Sequence, residues 1–156
     1  MIIMFETRKR NRIPNFDYSL PNYYYLTLCT HNRNCYFGKP DQLNDIGITV
    51  KSHIERLDTS YPQVRVDKYV VMPNHIHMIL VLEGKKTPEI PHIISQFKGA
   101  VSKEIRKKYP GLQLWQRSYY DHVIRDQLGY EQIWLYIEGN PQCWEKDDHF
   151  VENSPY

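Results

Sequence analysis

The chain has 156 residues, 41% of them hydrophobic and 24% charged, with a formal net charge of +2. This is the composition of one ordinary globular domain, long enough to bury a core without disulfide or metal staples. No stretch approaches the roughly 18 apolar residues of a membrane span, and the start lacks a signal-peptide pattern; three cysteines at unrelated spacings (Cys29, Cys35, Cys143) fit a reduced, cytoplasmic protein.

In chain order, residues 1–20 are polar and basic ("TRKRNR" at 7–12) without clear periodicity, and read as an extended arm. "YYYLTLCT" (23–30) reads as a strand followed by a loop. From Asp45 to Leu57, Ile46, Ile48, Val50, Ile54 and Leu57 fit an amphipathic helix imperfectly, stopped by "SYP". "QVRVDKYVVM" (63–72) alternates as a strand should. "PN" then makes a tight turn into "HIHMILVLE" (75–83), the returning strand of a hairpin.

"GKKTPEIPH" reads as a loop. In "IISQFKGAVSKEIRKKY" (93–109), Ile93, Ile94, Phe97, Val101 and Ile105 share one helical face with basic residues opposite. "LQLWQRSYYDHVIRD" (112–126) is strand-like, and "QLGYEQIWLYIEGN" (127–140) is a last helix closed by Gly139, Asn140 and Pro141. The resulting β-α-β-β-α-β order predicts an α+β, ferredoxin-like (RRM-like) antiparallel sheet with helices on one face, plus a C-terminal helix. The expected organisation is an arm over 1–20, a domain over 21–142 and a short tail over 143–156.

Side chains alternate along a strand, so His75, His77, Ile79 and Val81 share one face. Ile76, Met78, Leu80 and Leu82 share the other, which is wholly apolar and belongs against the helices. Two imidazoles at alternate positions are close enough for one metal ion, or they are simply spacers at a strand end. Sixty residues on, Tyr136 and Asn140 lie four apart on one helical face, beside an apolar stripe of Tyr130, Ile133, Trp134 and Ile137. His31, His53, His92, His122 and His149 are scattered singly and read as surface or satisfied residues.

"MPNHIH", then "LWQRSYYDHVIR", then "YIEGNP", after the opening "YYYLTLCTHNR…YFG", together resemble the single-tyrosine HUH transposases, and most closely the REP-associated tyrosine transposases. The likeness runs from about residue 20 to 142. It implies metal-dependent cleavage and rejoining of single-stranded DNA, usually beside a hairpin. His75 and His77 would be ligands of a divalent ion, Mg²⁺ or Mn²⁺, with Asn140 where relatives carry a third ligand. Tyr136 would be the nucleophile, forming a 5′-phosphotyrosine. His122 falls in a recurring stretch with no role assigned, and Tyr119 and Tyr120 rank below Tyr136 as nucleophiles. Relatives include monomers and homodimers.

Substrate hold would come from charge and stacking. Lys98, Lys103, Arg106, Lys107 and Lys108 lie on the polar side of the second long helix, and Arg117 and Arg125 flank the later strand. Such contacts position a phosphate backbone without reading sequence. Two rival readings are a non-catalytic RRM-like nucleic-acid-binding module and a zinc-binding protein. The first would leave Tyr136→Phe silent; the second would show tight stoichiometric zinc and no DNA cleavage.

Overall fold

The structure, a computed structural model, describes residues 22–83 and 88–151, so the predicted arm over 1–20 lies outside the described residues. The tyrosine-rich run forms β1 (Asn22–Cys29), followed by a 3-10 turn at His31–Arg33. Two short strands, β2 (Gly38–Lys39) and β3 (Gln42–Leu43), pair with each other and lead into α1 (Asp45–Glu55), capped by the Asn44 side chain on the Gly47 amide. A one-turn helix, α2 (Leu57–Ser60), precedes β4 (Val64–Met72) and β5 (His75–Leu82). Then follow α3 (Ile90–Ile105), β6 (Tyr120–Ile124), α4 (Gln127–Gly139) and a 3-10 turn at Pro141–Lys146.

Four strands make one sheet in the order β4-β5-β1-β6, with every neighbouring pair antiparallel. This is the predicted ferredoxin-like arrangement. One face of the sheet is apolar because alternate residues are: Tyr24, Leu26, Leu28, Ile76, Met78, Leu80 and Leu82 pack with Val50 and Ile54 of α1 and Ile93, Phe97 and Val101 of α3. The opposite face carries α4, whose Ile133 and Ile137 cover Tyr25, Ile79, Val81 and Ile124. Register places Cys29 opposite His75 and Thr27 opposite His77, so the histidines lie on the α4 side.

The β4–β5 connection has only two residues, Pro73 and Asn74, since Met72 pairs with His75. Farther along, β4 carries one extra residue: Val66 pairs with Leu80 but Lys68 with Ile79. The bulge falls at Asp67, which accepts hydrogen bonds from Arg65 (2.5 Å) and from the Tyr130 hydroxyl on α4.

Two predicted elements differ from those observed. The strand expected over 112–126 pairs only at Tyr120–Ile124. Before it, Leu114 and Trp115 are buried as plugs in the helix-side core, Trp115 making a single bridge to Thr30. The Lys98 ammonium ties the chain there by donating to the Gln116 and Ser118 carbonyls, at 2.9 and 3.0 Å. The helix expected from residue 93 begins at Ile90 instead. Pro91 sits in its first turn, where a missing N–H costs nothing.

Candidate metal and nucleophile site

His75 and His77 are buried at the turn-proximal end of β5, where the sheet face is closed by α4 and by residues 141–151 folding back across it. Their Nε2 atoms stand 3.1 Å apart. The His75 Nδ1 faces the Asn74 Oδ1 at 2.9 Å, and the His77 Nδ1 faces both the Tyr25 and the Thr27 hydroxyls at 2.9 Å.

These partners define the tautomers. The Asn74 amide NH₂ donates to two backbone carbonyls, so its oxygen faces His75 and accepts the Nδ1 proton. The His75 Nε2 therefore carries a lone pair. His77 can donate its Nε2 proton to that lone pair while a hydroxyl donates to its Nδ1. With a cation between the rings it can instead place the proton on Nδ1 and offer a second lone pair, because the Tyr25 and Thr27 hydroxyls accept as readily as they donate.

A third donor arrives from the end of the chain. The Asp147 Oδ2 lies 3.6 Å from the His75 Nε2, and one ligand atom from each of His75, His77 and Asp147 falls within 4.8 Å of the others. Asp147 accepts from the Asn140 Nδ2 (2.6 Å) and from both the His149 backbone N–H (2.8 Å) and ring Nδ1 (3.1 Å). The Asn140 Oδ1 is buried and makes no hydrogen bond within the described residues. Tyr136 stands beside the cluster, its ring 5.6 Å from that of His77.

The electrostatics follow from burial and these neighbours. Burial pushes the His75 imidazole down to about 4, and burial with the adjacent imidazoles drives His77 well below its ordinary value. Burial alone would raise the Asp147 carboxyl, but its interactions with His149, His75 and Asn140 together outweigh it and hold the group well below the carboxylate range. His149 is the counterpart: burial would lower it, yet Asp147 and the Cys29 thiol hold it up at about 9. The Tyr136 phenol is raised by burial and by the nearby Asp147 charge. At neutral pH the site thus has two neutral imidazoles, a carboxylate paired to an imidazolium, and a protonated phenol.

Of the residues singled out from sequence, the structure brings His75, His77, Tyr136 and Asn140 together. It adds Asp147 and His149, which nothing in the local sequence marked. His149 is a satisfied histidine, but one stacked on His75 at 4.3 Å between ring centroids. The basic residues divide. Lys103, Arg106 and Lys107 are exposed on or just beyond α3, across the sheet from the histidines, and Lys108 pairs with Asp45. Lys98 spends its ammonium on backbone carbonyls. Arg117 is exposed in the loop before β6. Arg125 lines a cavity of about 410 Å³ with Asn22, Tyr23, Gln127 and Tyr130, at the start of the tyrosine helix. Tyr120 and His122 lie on the histidine side of the edge strand β6, opposite Thr27 and Tyr25.

The split β-α-β-β-α-β sheet is shared with other proteins of known structure. Residues 20–140 match the family described as IS200-like transposases, and the chain belongs to that family. A Haemophilus influenzae protein of uncharacterised function is 35% identical over 169 residues, covering 93% of this chain and 94% of that protein. A second protein from the same organism, a candidate REP-associated tyrosine transposase, is 26% identical over 80% of this chain and 73% of its own length. Among solved structures, a REP-associated tyrosine transposase bound to a REP hairpin has the same fold (TM-score 0.62, 20% identity, 84% of this chain and 73% of that one). So does a candidate transposase from Deinococcus radiodurans (TM-score 0.54, 22% identity, 85% and 97%). No helix among the described residues is long and apolar enough to cross a membrane.

Proposed function

We propose that this transposase-family protein cleaves and rejoins single-stranded DNA beside a hairpin, in the manner of the HUH enzymes, with Tyr136 as nucleophile. The convergence of Tyr136 with His75, His77 and Asp147, from three separate parts of the chain, carries this reading. Hairpin-bearing DNA as substrate is supported by the REP hairpin held by the structural relative.

The site fits a divalent cation. The lone pair of His75, the lone pair that His77 can offer and the Asp147 carboxylate are buried acceptors within reach of one ion, and the buried Asn140 Oδ1 beside them has no donor among the described residues. His75, His77 and Asp147 would hold the ion, with Asn140 beside them. Mixed imidazole and oxygen donors suit Mn²⁺, and Mg²⁺ where oxygen ligands dominate. When bound, the ion would supply charge neutralisation at a phosphate oxygen, the main barrier to attack on a phosphodiester.

The chain's own residues do the remaining work. His77 packs edge-on against the Tyr136 ring, so the two side chains share the histidine side of the sheet. The phenol must lose its proton as its oxygen bonds to phosphorus and the bond from phosphorus to the 3′-oxygen breaks, leaving a 5′-phosphotyrosine and a 3′-hydroxyl. A second 3′-hydroxyl can reverse the step on another strand. The phosphodiester energy is retained in the phosphotyrosine, so no nucleotide cofactor is required. A water-using nuclease would lose that end.

The test is incubation of labelled hairpin-flanked single strands with Mn²⁺ and peptide mapping of any covalent adduct. Tyr136→Phe should abolish adduct and cleavage by at least ~10³-fold while leaving DNA binding intact. An adduct on Tyr120 would keep the class and overturn the nucleophile. Unchanged function in Tyr136→Phe would favour a binding module. Tight zinc with no cleavage in Mn²⁺ would favour the zinc-protein reading.

A further inference from the structure

We propose that Asn74 is a positioning residue of the candidate site: one side-chain amide sets the His75 ring and anchors the turn that carries Asp147. This rests on the reading of His75 and Asp147 as cation ligands. Asn74 is wholly buried, and all of its polar atoms are engaged. Its Nδ2 donates to the Arg33 carbonyl (3.2 Å) and to the His149 carbonyl (2.7 Å), while its Oδ1 accepts from the His75 Nδ1 (2.9 Å).

Carbonyl oxygens only accept, so the two Nδ2 contacts fix which end of the amide faces His75. That in turn assigns the ring proton to Nδ1 and leaves Nε2 to face His77 and Asp147. Outer partners that hold a ligating imidazole in one tautomer are a general part of metal sites. Here the same amide reaches the other ligand too. His149 donates its backbone N–H and its ring to Asp147, which ties the 147–149 turn together, and Asn74 holds that turn by the His149 carbonyl. The Asn74 backbone carbonyl completes the hold, accepting from the Thr30 amide (2.9 Å) and hydroxyl (3.0 Å) at the end of β1. A turn residue needed only to reverse the hairpin would require none of this.

The test uses the full chain without metal first. ¹⁵N NMR of the histidine rings should show His75 as the Nδ1–H tautomer in the wild-type protein. In Asn74→Asp, which keeps the acceptor but loses the NH₂, His75 should retain that tautomer while amide exchange over residues 147–151 accelerates at least ~10-fold. In Asn74→Ala the tautomer preference should vanish and the Kd for Mn²⁺ should rise ~10–100-fold. An Nε2–H tautomer in the wild type overturns the proposal without any variant, even if Asn74→Ala fails to fold. So does a folded Asn74→Ala with unchanged tautomer and Mn²⁺ affinity within twofold. Wild-type protein with the expected tautomer but no Mn²⁺ binding would sink the cation reading and support the amide's hold on His75.

Discussion

The His77 imidazole shows how a buried polar side chain is made tolerable. It has two hydroxyl partners on β1 and an imidazole on its own strand, so with His75 protonated at Nδ1 the His77 Nε2–H tautomer is satisfied at both nitrogens. The cost appears as acid sensitivity. Because the folded-state values of His75 and His77 lie below the ordinary 6.5, the unfolded chain binds more protons as pH falls from 6.5 towards 4. The contribution of these two groups should be complete above pH 6.5 and decline through that window, by about 1 kcal/mol per pH unit for each, whereas that of His149, raised to about 9, is lost as pH rises from 6.5 towards 9. Denaturation midpoints measured against pH should show the decline, and His77→Gln should flatten it. Asp147 makes a second prediction at this scale. If it is a ligand, Asp147→Ala should weaken Mn²⁺ binding at least ~10-fold by calorimetry. A smaller effect than that of Asn140→Ala would return the third position to the asparagine.

Among the elements, α4 decides whether the tyrosine meets the histidines. Its inner face is anchored by Ile133 and Ile137, both nearly inaccessible, and its flank by the Tyr130 hydroxyl on Asp67. Lys68 adds an ion pair to Glu138 and lies 4.0 Å from the centroid of the Trp134 ring. These contributions are unequal. Ile137→Ala should cost about 2–5 kcal/mol because it opens a void under a rigid sheet. Lys68→Ala should cost no more than about 1 kcal/mol, since Glu138 is well exposed and a surface pair competes with water. Urea titrations of the two variants test this ordering. The 3-10 turn after α4 matters in the same way: Trp144 packs with Cys35 and Met72, and that contact delivers Asp147 to the cluster.

Over the whole molecule, the sheet separates two surfaces. The site and the Arg125 cavity are on the α4 side, while Lys103, Arg106 and Lys107 are on the α3 side. A short single strand seated at Tyr136 can reach the Arg125 cavity, about nine residues or roughly 13 Å along α4, but not the far surface. Arg125→Ala should therefore weaken binding of a short single strand and reduce its salt slope by roughly 0.7. Combined alanine substitution of Lys103, Arg106 and Lys107 should leave that strand unaffected and weaken only hairpin-bearing DNA. Fluorescence anisotropy across a salt series separates the two surfaces.

Periodicity alone was enough for the sheet and its long helices, because burial on one face imposes a repeat of two or about 3.6 that survives in the letters. The alternation His75-Ile76-His77 likewise told which face the imidazoles would occupy, and Tyr136 and Asn140 were legible as neighbours on one helix flank. The strand expected over 112–126 was shortened because Leu114 and Trp115 are apolar for the sake of plugging the core, and apolarity does not distinguish a plug from a ladder. Asp147 and His149 had no local signal at all: "EKDDHF" reads as a solvated acidic end. Only the fold-back after Pro141, held by Trp144 and by the Asn74 amide, turns one of its carboxylates inward. A carboxylate brought in by long-range packing leaves no spacing to read, since its distance from its partners is set in space and not along the chain.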